Sequence, residues 1–87
     1  MQLARNLAHE FGPDNVRVNC IAPGLVRTDF ARALWENPEA EKAVNASTPL
    51  RRIGEPHELA GIAVYLASPA STFMTGQSIV VDGGRTI

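Results

Sequence analysis

Val16-Arg17-Val18-Asn19-Cys20-Ile21-Ala22 is a short run rich in β-branched residues, and Pro23-Gly24 ends it sharply. Branched side chains fit a pleated backbone, and a Pro-Gly pair is a turn signal rather than a continuation. The run predicts a strand over 16–22. Strict alternation sets Val16, Val18, Cys20 and Ala22 on one side and Arg17, Asn19 and Ile21 on the other, with at least one side buried. Pro23 stiffens the turn, and Gly24 lets the backbone come close to a flat ligand.

Upstream, residues 1–11 read as a helix. Met1, Ala4, Ala8 and Phe11 recur at helical spacing, Leu3 and Leu7 widen the stripe, and Gly12-Pro13 stops it. No capping residue precedes Met1, so the pattern starts inside a helix, as if cut. Downstream of the strand, Thr28 or Asp29 is a cap for a short helix through about Glu36. Asn37-Pro38 caps a second helix running to Ser47, because proline at the first helical position gives up no needed donor. Phe30, Leu34 and Trp35, then Ala40 and Val44, make these helices only moderately apolar, an excursion outside the core.

Arg51-Arg52-Ile53-Gly54 is a connector whose arginines read as a solvated pair. Glu55-Pro56 opens the most apolar helix, with Leu59, Ala60, Ile62, Ala63, Leu66 and Ala67 in its stripe, and Ser68-Pro69 closes it. Gly76 precedes a strand over 77–82, with Ile79 and Val81 opposite Val80, and Asp82-Gly83-Gly84 is a structural turn. The order is helix, strand, helical excursion, helix, strand: an α/β chain whose strands, joined by a crossover, lie parallel. A sheet of two strands leaves an open edge, so the unit is expected to be incomplete as a standalone domain, and molten, aggregated or oligomeric in isolation.

Composition narrows the function classes. The chain has 87 residues, 45% of them hydrophobic, and a net charge of -1 with acidic and basic residues interspersed, so there is no basic stripe for nucleic acid. No apolar run approaches the roughly 18 residues of a membrane span, and Arg5, His9 and Glu10 interrupt any signal-peptide core. The lone Cys20 makes no internal disulfide and fits a reducing, cytoplasmic setting; it reads as a small buried residue. No cluster of Cys or His suggests a metal. His9 reads as a surface helix residue and Tyr65 as packing or interface.

Taken together, the motifs resemble the C-terminal portion of the short-chain dehydrogenase/reductase family. Val18-Asn19-Cys20-Ile21-Ala22-Pro23-Gly24-Leu25-Val26-Arg27-Thr28 resembles that family's V-N-x-I-x-P-G-x-[IV]-x-T run. Pro49 to Pro56 resembles its P-x-x-R-x-G-x-P connector, and Val64, Leu66, Ser68, Thr75, Gly76 and Asp82-Gly83-Gly84 fall where its last helix and strand require them. The resemblance implies a single partial domain over 1–87, the last two parallel strands of a Rossmann-like three-layer αβα sandwich. It implies NAD or NADP as cofactor, with Pro23, Gly24, Val26 and Thr28 as the cofactor contacts: the Val26 backbone for the nicotinamide carboxamide, the Thr28 hydroxyl near the carboxamide or pyrophosphate. It also implies that 29–47 is the substrate lid, where Phe30, Leu34 and Trp35 line the substrate or, for Trp35, simply pack the lid.

No catalytic residue is carried over. The family's Y-x-x-x-K pair would fall upstream of Met1; the one tyrosine, Tyr65, and the one lysine, Lys42, have no such spacing, and no glycine-rich phosphate loop is present. The chain therefore reads as part of an oxidoreductase interconverting a small alcohol and carbonyl substrate, inactive alone, and a homo-oligomer in the intact enzyme. The alternative is a non-catalytic module that pairs with itself or with a longer relative through its first helix, last helix and last strand.

Overall fold

The computed structural model describes residues 2–85. Its elements are α1 (Gln2–Phe11), β1 (Cys20–Pro23), α2 (Arg32–Trp35), α3 (Pro38–Ser47), α4 (His57–Ala67) and β2 (Ser78–Val81). Met1, expected as the first residue of the helical stripe, lies outside the described residues, as do Thr86 and Ile87. β1 and β2 form a two-stranded sheet. Cys20 N–H donates to Gln77 C=O at 2.8 Å and Gly24 N–H to Val81 C=O at 2.9 Å. The bonds advance in the same direction along both strands, the parallel pattern expected.

The chain divides into two compact units. The first comprises Met1–Ala22 and Gly61–Val80. Here α1 presents Ala4 and Ala8 inward, each buried, while Leu3 and Phe11 stay exposed, so the apolar stripe is narrower than the spacing predicts. The reason is close backbone approach: a Cβ on Gly76 would sit 3.4 Å from the Ala8 Cβ, a separation that only small residues allow. Gly12 does not end the helix by itself. A 3-10 turn over Gly12–Asp14 follows, and Asn15 takes the left-handed conformation (φ 60), its N–H donating to Gly12 C=O at 2.9 Å.

The strand expected over 16–22 is regular only at Cys20–Pro23. Ahead of it the backbone is satisfied differently: Val18 N–H donates to the Thr75 hydroxyl at 3.0 Å, and Gly76 N–H to Val18 C=O at 2.7 Å. Arg17 and Asn19 have their own work in this unit. Arg17 donates to Leu66 C=O at 2.9 Å, Met74 C=O at 3.2 Å and the Ser71 hydroxyl at 3.1 Å, taking up carbonyls left over where α4 ends. Asn19 donates to Met74 C=O and accepts from Gln77 N–H.

The second unit comprises Pro23–Ala60 and Val81–Ile87. Its anchors are Ile53 and Thr48, each 3% exposed. The Thr48 hydroxyl donates to Val44 C=O at 2.8 Å, so this buried polar group is satisfied. Asn37 caps α3 as expected, its side-chain oxygen accepting from Glu39 N–H at 3.0 Å and Ala40 N–H at 3.4 Å. α2 differs: it starts at Arg32 with Ala31 in the cap position and no side-chain cap. The Thr28 hydroxyl instead accepts Ala31 N–H at 3.2 Å, closing a turn before the helix. The Asp82-Gly83-Gly84 turn forms as read, with Asp82 Oδ1 accepting Gly84 N–H at 2.8 Å and both glycines at positive φ.

Along α4, Leu59, Ile62 and Leu66 are half-buried, whereas Ala60, Ala63 and Ala67 of the expected stripe are exposed. Val64 and Tyr65 are exposed too. Among the described residues the buried apolar side chains are Ala4, Ala8 and Ile53, a thin core for a chain this apolar. No helix of the described residues is long and apolar enough to cross a membrane.

Candidate functional site

The loop after β1 begins at the carboxyl end of a parallel strand, where ligands of open α/β sheets bind. Gly24 is required there for a reason the local sequence does not reveal. A Cβ at this position would lie 2.8 Å from both the Cα and the Cβ of Asp82, so the bare backbone is what lets the strand end and the Asp82 turn meet. The close approach seen at Gly24 is to the Asp82 turn, where the sequence alone suggested a flat ligand.

Beyond it, Val26 forms an isolated parallel bridge with Gly54. Gly54 makes both bonds, donating to Leu25 C=O at 3.0 Å and accepting from Arg27 N–H at 2.9 Å. In that pattern the N–H and C=O of Val26 itself point away from Gly54. On that other side the Val26 carbonyl accepts Thr28 N–H at 2.8 Å. The Val26 N–H has no acceptor among the described residues. Thr28 is exposed; its hydroxyl, accepting from Ala31 N–H, keeps its own proton available to a ligand.

Phe30, Leu34 and Trp35, the residues expected to line a substrate, differ in exposure. Trp35 is half-buried; its indole N–H donates to Thr28 C=O at 2.8 Å, and the guanidinium carbons of Arg27 and Arg32 stand 5.7 Å and 5.8 Å from its ring centroid. Phe30 is fully exposed and Leu34 half so. A cavity of about 140 Å³ opens beside the loop, lined by Leu25, Val26, Val44, Leu50, Leu59 and Val81 among others. Of the expected site residues only Val26 lines it; Pro23, Gly24, Thr28, Phe30, Leu34 and Trp35 do not.

Charges around this loop are more organised than the sequence suggests. Arg27 pairs with Glu41 at 2.7 Å and with Glu55 at 3.1 Å. These residues are far apart in sequence, and no local signal links them. Arg51 and Arg52, expected as a solvated pair, are both exposed and each has a partner: Arg51 donates to Ala46 C=O, and Arg52 grips Glu58 with both terminal guanidinium nitrogens. The Glu58 carboxyl, hydrogen-bonded by Arg52 and then by the Glu55 backbone N–H, is held down to about 2.

The family model for enoyl-(acyl carrier protein) reductase matches residues 1–86. Bovine (Bos taurus) dehydrogenase/reductase SDR family member 4 is 49% identical over 82 residues, 94% of this chain and 29% of that protein. The chain belongs to the short-chain dehydrogenase/reductase family. It spans about a third of the length of the relatives it matches. A 4-hydroxyisoleucine dehydrogenase complexed with NADH superposes with a TM-score of 0.93 at 34% identity, over 98% of this chain and 35% of that one. A gluconate 5-dehydrogenase from Burkholderia cenocepacia, in complex with NADP and tartrate, gives a TM-score of 0.93 at 35% identity, over 98% and 33%. The parallel pair and its helices are therefore part of the Rossmann-like αβα sandwich of this dehydrogenase/reductase family.

Proposed function

We propose that this chain carries the nicotinamide-side loop and the substrate lid of an NAD(P)-dependent oxidoreductase interconverting an alcohol and a carbonyl compound. The Val26 peptide carries the reading. A primary carboxamide needs an acceptor for its NH2 and a donor for its oxygen, side by side. Val26 offers both groups on one side, its N–H without an acceptor among the described residues and its C=O held in place by Thr28 N–H. The Thr28 hydroxyl proton is a second donor beside it, for the carboxamide or a pyrophosphate oxygen. Pro23 and Gly24 orient this peptide, Gly24 by its contact with the Asp82 turn.

The dinucleotide, when bound, supplies or accepts the hydride. Residues 29–47 cover the substrate, and the exposed Phe30 and Leu34 supply apolar surface for it to desolvate. Superposable relatives with NADH and with NADP support the cofactor class and leave the choice between the two open. The proton that must accompany the hydride has no carrier in this chain: Tyr65 lies on α4, Lys42 on α3, and no Y-x-x-x-K spacing exists. With neither that pair nor a glycine-rich phosphate loop in this sequence, the chain by itself does not turn over. Its single cysteine fits a cytoplasmic setting.

The amide spectrum of labelled chain titrated with NADH or NADPH tests the site. The Val26 and Thr28 amides are expected to shift first; saturating dinucleotide that leaves both unmoved defeats the reading. Sustained oxidation of NADH with a panel of ketones and aldehydes would overturn the claim that the chain alone is inactive.

A second reading, association with itself or with a longer relative, is favoured by the apolar side chains α4 and β2 leave uncovered. Val64 is 68%, Tyr65 42% and Val80 51% exposed. Large apolar side chains left uncovered are candidates for burial in an interface.

A further inference from the structure

Arg27 meets three elements at once. Its Nη2 lies 2.7 Å from Glu41 Oε1 on α3, its Nε 3.1 Å from Glu55 Oε1 on the connector, and its Cζ 5.7 Å from the centre of the Trp35 ring on α2. Its backbone N–H also donates to Gly54 C=O at 2.9 Å. A planar guanidinium can do this because its donors leave from separate edges while its face rests on a ring; an ammonium cannot. Arg32 is the contrast. It stands as near the same ring, yet its ion pairs, with Asp29 and Glu36, stay within its own segment.

We propose that Arg27 is a positioning residue that latches the lid onto the nicotinamide-side loop, so that lid closure and the orientation of the Val26 peptide are set together. The inference rests on the reading of 23–28 as the cofactor loop and 29–47 as the lid. A line of hydrogen bonds joins the two: Trp35 Nε1–H to Thr28 C=O at 2.8 Å, then Thr28 N–H to Val26 C=O at 2.8 Å. The Arg27 side chain clamps the start of that line to the ring at its far end. It also separates two carboxylates. Without it, Glu41 and Glu55 share a site with no counter-ion between them, so losing Arg27 disturbs the lid more than losing either glutamate.

The test uses the 87-residue chain without dinucleotide, so a failed NADH titration and a failed latch are separate results. Trp35 is the chain's one tryptophan and reports the lid directly. In Arg27→Gln, hydrogen exchange at the amides of α2 and α3 should rise by at least about fivefold. Quenching of Trp35 fluorescence by acrylamide should increase, while α1 amides keep their rates. Arg27→Lys should not rescue, and Glu41→Gln should give a smaller change in the same place. Unchanged lid exchange in Arg27→Gln, or full rescue by lysine, overturns the latch. Should Arg27→Gln loosen α1 equally, Glu41→Gln decides: an increase confined to the lid supports the proposal and no increase overturns it.

Discussion

Arg52 and Glu58 meet fork to fork, Nη1 2.6 Å from Oε1 and Nη2 2.7 Å from Oε2. The same carboxylate accepts Glu55 N–H at 3.0 Å, so it also satisfies an orphan donor at the start of α4. One side chain thereby ties the connector to the helix that follows it.

That pairing makes part of the stability pH-dependent. The Glu58 carboxyl is lowered from 4.5 to about 2, first by the Arg52 hydrogen bond and then by the Glu55 backbone. A depressed carboxyl contributes above its unfolded pKa and loses that contribution as pH falls through the folded value. Wild type should therefore exceed Glu58→Gln in urea resistance at neutral pH. The gap should narrow as pH falls from 4.5 and close near 2. A gap that stays constant across that window would refute the assignment.

Gly24 and Gly61 should respond oppositely to alanine. At Gly24 the new Cβ lies 2.8 Å from Asp82 backbone, and overpacking of this kind costs about 1–3 kcal/mol. At Gly61, inside α4, a Cβ meets nothing within 4 Å, so the helix gains about 0.5–1 kcal/mol. Urea midpoints of the two variants check both signs.

Asn37 should matter to α3 alone. Asn37→Ala removes the acceptor for Glu39 N–H and Ala40 N–H, a loss of about 1 kcal/mol at the start of α3. Hydrogen exchange should quicken in the first turns of α3 and not in α1; equal acceleration in both would contradict a local cap.

Val64 tests the uncovered face. If association buries α4, Val64→Glu weakens it by at least about tenfold, since a charge cannot be left unpaired in an apolar contact. Light scattering across a dilution series reads this. A wild-type chain that stays monomeric at every concentration would dismiss the second reading.

What was legible in the sequence was local. Asn37-Pro38 announced its helix because the cap bonds reach only two and three residues ahead, and Ile79-Val80-Val81 announced its faces because alternation is intrinsic to a strand. The family was legible too, since its motifs keep fixed spacing along the chain. Only the tertiary structure decided the rest. It shortened the first strand, because Thr75 and Gly76 take its early backbone bonds. It turned Ala60, Ala63 and Ala67 outward, because periodicity marks an apolar face and not what is there to cover it. It made Gly24 answer to Asp82 and Arg27 to Glu41, Glu55 and Trp35, contacts between residues distant in sequence that no local pattern encodes. The Pro23-Gly24 loop was visible as a turn from its residue types alone; which way its Val26 peptide faces was settled by Gly54, through a bridge that exists only once the chain has folded.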